Sequence, residues 1–453
     1  MRIDGKFHLS DGLQVRKLIK NAPYKVRSIF DVTSNIYCPG IFQRHYTSSG
    51  TPFLGGADIQ KQSYDSGKYL KESTTPNHEI LAIKKGWTLV TCGGTVGETA
   101  FANRELAKCW VSQHVMRLIP DGIKPGMLYS YLATNEGKML LTTNTYGSVI
   151  PTLNSNSIGE LPIPEFPESF QQEVDDLIQE SARLREEAAD MLEKSKNLLK
   201  EKAGLDNLVS EDYDYYGHRS ADRKVSCFSI KQKEITTTTI NAFNYSRRIL
   251  NTKSKIQSTV PLKEVLLYND VFSTGSFPRV EVSGNNGIML INQSDIFDAI
   301  IKGKRISKRR VKTDNLVEYG EVLIAGVGTL GDSEKFCHVI FANEDLVGQL
   351  VSGEFIRMKT TKEVTSGYLF AWLDTDYGFR LIRNTQAGTK LCRPIPRMLL
   401  EIPVPLIDSD SMQEIDRLVR EAHTKRYQAN CNERKAISMV EKEIESWTTS
   451  KKN

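Results

Sequence analysis

No stretch of the 453 residues approaches the 18 consecutive apolar positions that a membrane-spanning helix needs. The opening Met1-Arg-Ile-Asp-Gly-Lys6 lacks the apolar core of a signal peptide, so a cytoplasmic location is expected. Cysteine is sparse: Cys38, Cys92, Cys109, Cys227, Cys337, Cys392 and Cys431 are odd in number and scattered, with no CxxC pair. That excludes a disulfide framework and a zinc ribbon, and leaves each as a small buried hydrophobe. The seven histidines are dispersed without His-x-x-x-His spacing, which gives no metal site. No GxxxxGK[ST] phosphate loop is present, nor an Asn/Asp-Pro-Pro-aromatic tetrad of the amino-methyltransferase kind, nor an acidic cluster with lysine that suits a metal-dependent nuclease. Gly326-Val-Gly328-Thr-Leu-Gly331 matches GxGxxG literally. A dinucleotide fold requires a helix straight after those glycines, whereas here an apolar, β-rich run follows, and Cys92 replaces the leading glycine in an earlier copy. These glycines read as a tight turn. No catalytic residue, cofactor site or metal site is expected on this chain.

What is present begins with a rod. Glu168 to Ala203 contains neither proline nor glycine, starts after a proline-punctuated segment and stops at Gly204, which are helix start and stop signals. Leu177, Leu184, Met191 and Leu198 recur every seven residues, with Val174, Ile178, Ala188, Leu192 and Leu199 beside them. An apolar stripe on a charged rod needs a partner. Asp410 to Trp447 supplies one through Ile415, Leu418, Val419, Ala422, Ala436, Met439, Val440, Ile444 and Trp447. The two are expected to pair as an antiparallel coiled-coil stalk, roughly 55 Å long at ~1.5 Å per residue.

The segments before each helix repeat. Leu161-Pro-Ile-Pro164 and Ile402-Pro-Val-Pro405 match at an offset of 241, as do Gln172-Glu-Val-Asp175 and Gln413-Glu-Ile-Asp416, Gly147-Ser148 and Gly388-Thr389, and Tyr131-Leu and Trp372-Leu. With small shifts, Gly86 to Gly97 (GWTLVTCGGTVG) matches Gly320 to Gly331 (GEVLIAGVGTLG), Phe101-Ala-Asn103 matches Phe341-Ala-Asn343, Val111-Ser matches Val351-Ser, and Arg117 matches Arg357. Weaker echoes pair Phe42 and Arg44 with Phe277 and Arg279, and Ile3-Asp4 with Ile240-Asn241. A period this long is a domain duplication and no solenoid.

The expected architecture is mixed α/β (α+β), with two duplicated domains separated by the two helices. The first domain takes residues 1–167, the first helix 168–204, a linker 205–239, the second domain 240–408, the second helix 409–447 and a polar tail 448–453. Within the domains, Thr88 to Thr91, Val115 to Ile119 and Ser148 to Ile150 read as strands, and Gly126 to Leu141 and Ser366 to Arg383 as single helices. Composition, at 39% hydrophobic and 25% charged, suits a globular protein with a core in each half. Net charge is only +5, but Lys302 to Lys312 (KGKRISKRRVK) holds seven basic residues in eleven. Such a run is either a solvated loop or edge strand, or a phosphate-binding patch that releases counterions from nucleic acid.

The order of these motifs, Gly-x-x-Leu-[Ile/Val] through Gly-Thr-[Val/Leu]-Gly to Gly-[Ser/Thr] and [Leu/Ile]-Pro-[Ile/Val]-Pro before a long helix, twice over, resembles the specificity subunit of type I restriction-modification systems. The Ile3-Asp4 opening is similar also to specificity subunits of type IIB-like systems. The resemblance implies a non-catalytic subunit with two target recognition domains, each reading one half of an asymmetric bipartite DNA site, and helices that set the gap and dock partners. Those partners would be double-stranded DNA, two copies of an adenine methyltransferase (modification) subunit that carries S-adenosylmethionine, and, in the restricting assembly, ATP-dependent restriction subunits. About 16 base pairs at ~3.4 Å rise match the stalk's length. Arg44 and Arg279 are candidates for bidentate guanine contact. Lys304, Arg305, Lys308, Arg309 and Arg310 are the phosphate candidates. Thr95 and Thr329 follow the shared glycine turn, and Ser148 and Thr389, with Tyr146 and Gln386 nearby, occupy the second matched loop. Two readings compete with this one: an enzyme acting alone on nucleic acid, and a structural adaptor whose helices join two protein-binding domains.

Overall fold

A computed structural model describes residues 11–47, 49–143, 145, 152–209, 228–284, 287–330 and 335–449. The chain is mixed α/β and divides into two compact units, Met1–Glu186 with Gln428–Asn453, and Glu187–Tyr427.

In the first unit, α1 (Asp11–Lys20) precedes β1 (Val26–Ser28), β2 (Thr33–Tyr37), β3 (Thr51–Leu54), β4 (Tyr69–Leu70), β5 (Thr88–Thr91) and β6 (Thr99–Phe101). After a one-turn helix, α2 (Arg104–Ala107), come β7 (Trp110–Val111), β8 (Val115–Pro120), α3 (Pro125–Ala133), α4 (Asn135–Thr143), α5 (Ser155–Gly159) and β9 (Pro162–Pro164). One sheet has the order β2-β8-β5-β6 and is antiparallel throughout; a second has the order β4-β3-β7, with β3 and β7 parallel. β5 (TLVT) is rich in β-branched residues and buried along its whole length, which suits a central strand. β9 pairs with β1, its two prolines flanking the buried Ile163, so the strand donates little and is confined to a two-stranded ladder.

The helices that read as one element in each half are two. α3 ends at Thr134, whose Oγ1 donates to the Tyr131 carbonyl (2.7 Å) and accepts from the Gly137 amide (2.9 Å). A side chain that bonds the backbone this way competes with the helix and starts the next one. Gly137 is needed at the corner, because a Cβ there would lie 2.2 Å from the Tyr131 carbonyl oxygen.

α6 (Glu168–Lys202) begins in this unit, and its apolar face packs into the core beside the last turns of α11 (Ser409–Thr449). Val174 and Ile178 meet Met127, Leu128 and Leu132 there, together with Ala436, Val440, Ile444 and Trp447. Burying each large side chain contributes about 1.5–3 kcal/mol. Ser181 Oγ donates to the Ala429 carbonyl (2.9 Å), and the Phe166 and Trp447 rings sit 6.0 Å apart, so the two helices run antiparallel. The deepest line on α6 is Val174, Ile178, Ser181, Ala188, Leu192, Ser195 and Leu199, while Leu177, Met191 and Leu198 are its half-buried flank. Of the seven-residue set Leu184 alone is buried, so most of that pattern flanks the seam.

The second unit carries α7 (Arg247–Ser254), β10 (Thr259–Pro261), β11 (Gly287–Ile291), β12 (Lys304–Ser307), β13 (Val322–Ala325), β14 (Val339–Phe341), β15 (Leu350–Val351) and β16 (Phe355–Met358). α8 (Ser366–Leu373), α9 (Asp376–Asn384), β17 (Gln386–Ala387), β18 (Arg393–Pro394), α10 (Pro396–Leu399) and β19 (Pro403–Pro405) follow. Its sheets are β14-β13-β16 and β12-β11-β15, with the pairs β10-β19 and β17-β18. Several bonds of the first unit recur. Tyr131 Oη donates to the Pro162 carbonyl (2.6 Å), and Trp372 Nε1 to the Pro403 carbonyl (3.0 Å). Gly126 N donates to Asp175 Oδ1 (2.6 Å), and Gly367 N to Asp416 Oδ1 (2.8 Å). Thr375 breaks α8 from α9 as Thr134 does α3 from α4. Here too α6 and α11 are antiparallel: Glu187 pairs with Lys425 (2.9 Å) and Lys194 with Glu414 (4.0 Å). Among the described residues no helix is long and apolar enough to cross a membrane.

Candidate nucleic-acid interface

In the first unit β5 runs out into the TCGGTVG turn. Gly94 (φ 81°) and Gly97 (φ 88°) take left-handed conformations that L side chains rarely adopt. The turn closes when Thr91 N donates to the Glu98 carbonyl (2.8 Å) and Gly97 N to the Thr91 carbonyl (3.0 Å). Thr95 is exposed at its tip. Gly93 bridges to Thr152, and Leu153 N donates to the Cys92 carbonyl (3.0 Å), which ties the chain just after the second matched loop to the turn. Tyr146 and Ser148, like the strand expected at 148–150, lie outside the described residues.

Arg44 is half-buried. Its guanidinium lies 5.8 Å from the Phe42 ring centre and 5.2 Å from that of Phe53, and Nη2 donates to Gln113 Oε1 at 2.6 Å. No sequence motif singles out Gln113 and His114. They occupy the turn between β7 and β8, and His114's carbonyl accepts from Cys92 N at 2.8 Å. Beneath them Cys38 and Cys92 face each other, Sγ to Sγ, at 3.2 Å, both as free thiols. Burial fits the expectation for Cys92, Cys109, Cys337 and Cys392; Cys38 is half-buried and Cys431 exposed, and Cys227 lies outside the described residues.

In the second unit the two matched loops are joined directly. Gly328 N donates to the Cys392 carbonyl (3.2 Å) and Cys392 N to the Gly328 carbonyl (2.7 Å). Thr329 is exposed on one loop and Thr389 on the other, where Gly388 (φ 116°) turns the β17-β18 hairpin. Gln293 clamps the glycine turn from the side, its Nε2 donating to the Val327 carbonyl (2.5 Å) and its Oε1 accepting from Val327 N (3.1 Å). Gln386 does not join the surface: it is 2% exposed, and its carbonyl accepts from Asn244 Nδ2 at 3.0 Å. Arg279 is exposed, 5.6 Å from the Phe277 ring centre.

The basic run forms the edge strand β12 and the following 3-10 turn, Lys308–Arg310. Lys304 and Arg305 stand opposite Leu290 and Met289 of β11, a few residues from Gln293, and Lys308 and Arg309 are exposed at the far end. On this strand Ile306 is buried, while Lys304 and Arg305 are exposed. Lys304 pairs with Glu281 (2.6 Å) across exposed surface, which is worth little energetically. Arg305 and Lys308 line a cleft of about 420 Å³ whose walls include Ile288, Val311 and Leu316. Of Arg310 the backbone alone is described.

Arg117 and Arg357 belong to the scaffold. Arg357 and Glu321 are each 1% exposed and make two bonds, Nε to Oε2 at 2.8 Å and Nη2 to Oε1 at 2.9 Å. Arg117 has no carboxylate; it donates to the carbonyls of Ser112 (3.0 Å), Val115 (2.5 Å), Leu81 (3.1 Å) and Val111. Burial pulls its pKa down to about 10. Among the described residues no group of His, Cys, Asp and Glu is arranged to hold a metal ion.

Residues 21–179 match the family model described as type I restriction modification DNA specificity domain. These residues therefore carry a DNA specificity domain of that class. Over residues 21–179 this bears out the resemblance to type I specificity subunits expected from the repeated motifs. No curated protein matches the sequence. Among solved structures, the chain is similar to the type I restriction-modification S subunit from M. genitalium (12% identity, TM-score 0.37, covering 94% of this chain and 96% of that one). It is also similar to the HsdS subunit from Thermoanaerobacter tengcongensis (12%, TM-score 0.29, 94% and 97%). A third likeness is to a chain from a structure of type I restriction-modification complex assembly and conformational transition (14%, TM-score 0.29, 93% and 98%).

Proposed function

We propose that this protein is the DNA sequence-specificity subunit of a restriction-modification complex. Each unit is a target recognition domain that reads one half of an asymmetric bipartite site. α6 and α11 set the gap between the half-sites and dock two copies of an adenine methyltransferase subunit, which brings its own S-adenosylmethionine. ATP-dependent restriction subunits complete the assembly when it cleaves, and the complex works in the cytoplasm. The observation that carries this reading is the family match over residues 21–179, seconded by the recurrence in the second unit of the glycine turn tied to a second loop. α6 has 35 residues, about 52 Å at ~1.5 Å each, which suits half-sites separated along one duplex.

In this reading Thr95, Thr329 and Thr389 approach the grooves with Arg44 and Arg279, while Lys304, Arg305, Lys308 and Arg309 hold phosphates. The full chain with its methyltransferase partner should protect two short sequences at fixed separation, and binding should weaken steeply with salt. Lys308→Ala with Arg309→Ala should lower the salt slope by about one for each phosphate that the removed cations neutralise. Binding without preference for any duplex would overturn the proposal. Unchanged affinity and slope in the double variant would instead favour a protein adaptor with an unrelated basic edge.

A further inference from the structure

We infer that Arg44, Gln113 and His114 form the base-reading cluster of the first unit, and that the base they read is a guanine. The inference rests on the recognition role proposed above and adds residues and a base to it. Gln113 and His114 come from the β7-β8 turn and are brought against the glycine turn by the Cys92–His114 backbone bond. A Cβ on Gly93 would lie 2.8 Å from His114 Nδ1, so the glycine is what lets the imidazole lie on the turn. Arg44, from the segment before β3, is steadied by the Phe42 and Phe53 rings and by Gln113. The segment before β3, the β7-β8 turn and the glycine turn thus converge on one surface, where His114 is exposed and Arg44 and Gln113 are half-buried.

The donor pattern selects the base. A guanidinium has donors and no acceptor, so the Gln113 oxygen must be the atom that faces Arg44. Its Nε2 then points away, 3.3 Å from His114 Nε2. With the amide oxygen turned to Arg44 and one guanidinium nitrogen engaged there, the groups left for a ligand are mostly donors, the remaining guanidinium N–H groups first among them. In the major groove guanine offers two adjacent acceptors, O6 and N7, whereas adenine also requires an acceptor for its amino group. The second unit has Gly353-Glu354 at the matching turn, with the Glu354 carbonyl accepting from Gly326 N at 3.1 Å. A carboxylate there in place of an imidazole gives the two units different chemistry for their half-sites.

The test is selection from a pool of randomised duplex DNA by the full chain bound to its methyltransferase subunits, with Arg44→Lys and Gln113→Leu beside wild type. Arg44→Lys keeps the charge but loses the planar fork. The expected result is a guanine position in one half-site whose preference falls roughly ten- to hundredfold in both variants, while the other half-site is unchanged. The inference is overturned if both variants retain the wild-type preferences, if the affected position is not guanine, or if an entire half-site disappears in both, since the pair would then only support the fold. A wild-type complex that selects no sequence would instead refute the recognition role itself.

Discussion

Removing the carboxylate of Glu321 tests how the second unit keeps a charge at its centre. Arg357 lies on β16 at 1% exposure, bonded twice to Glu321 and further to the carbonyls of Asn315 (2.8 Å) and Leu316 (2.9 Å). Glu321→Ala leaves a buried guanidinium without its counter-charge, and breaking a buried pair from one side costs about 3–5 kcal/mol. For a unit of this size that is a fall of roughly 6–20 °C in its unfolding temperature. Calorimetry of the full chain would measure the shift, and hydrogen exchange on β13 and β16 against β5 and β8 would place it in the second unit. The double variant Glu321→Leu with Arg357→Met should recover most of the loss, because apolar replacements of similar volume carry no desolvation cost. Arg117 makes the outcome informative: at the matching place in the first unit Trp87 stands where Glu321 does, and carbonyls alone hold the cation. A change under about 1 kcal/mol for Glu321→Ala would mean that carbonyls suffice in both units, and the reasoning would fail.

Two further outcomes follow from packing. His423 is buried between the Phe341 and Phe370 rings, and its pKa is held well below the usual value by burial and by Arg426. The unfolded chain takes up a proton near pH 6.5 that the folded chain refuses, so the second unit should lose up to about 1.4 kcal/mol per pH unit below 6.5; denaturant titrations at about pH 7.5, 6.5 and 5.5 should show a slope that His423→Phe flattens. Gly126→Ala would press a Cβ to 2.9 Å from Asp175 Cα, and Gly367→Ala to the same distance from Asp416 Cα. Each should destabilise its own unit by about 1–3 kcal/mol, and a Tm unchanged in either variant would contradict the close helix approach.

Periodic features are legible in the sequence, and long-range ones are not. The long helices can be read because apolar spacing and the absence of proline and glycine act locally along the chain. The breaks at Thr134 and Thr375 escape such a reading because the apolar spacing continues across them, and only a side-chain bond to the backbone reveals the corner. The glycine turn is recognisable from its recurrence, and its neighbours are not: Arg44 and Gln113 are 69 positions apart, and nothing in Ser-Gln-His marks it as surface facing that turn. Proximity along the chain groups Gln386 with the exposed loop, but the β17-β18 ladder turns its side chain inward. Tyr129 and Glu433, 304 positions apart and bonded at 2.5 Å, illustrate pairings that no local pattern announces.

The first unit cannot be finished when its own sequence has been made. Its core includes Ala436, Val440, Ile444 and Trp447, which are synthesised after the whole of the second unit. During translation the part of this core that residues 436–447 fill therefore waits open while more than two hundred residues emerge, and it is the last stretch of chain that seals the earliest.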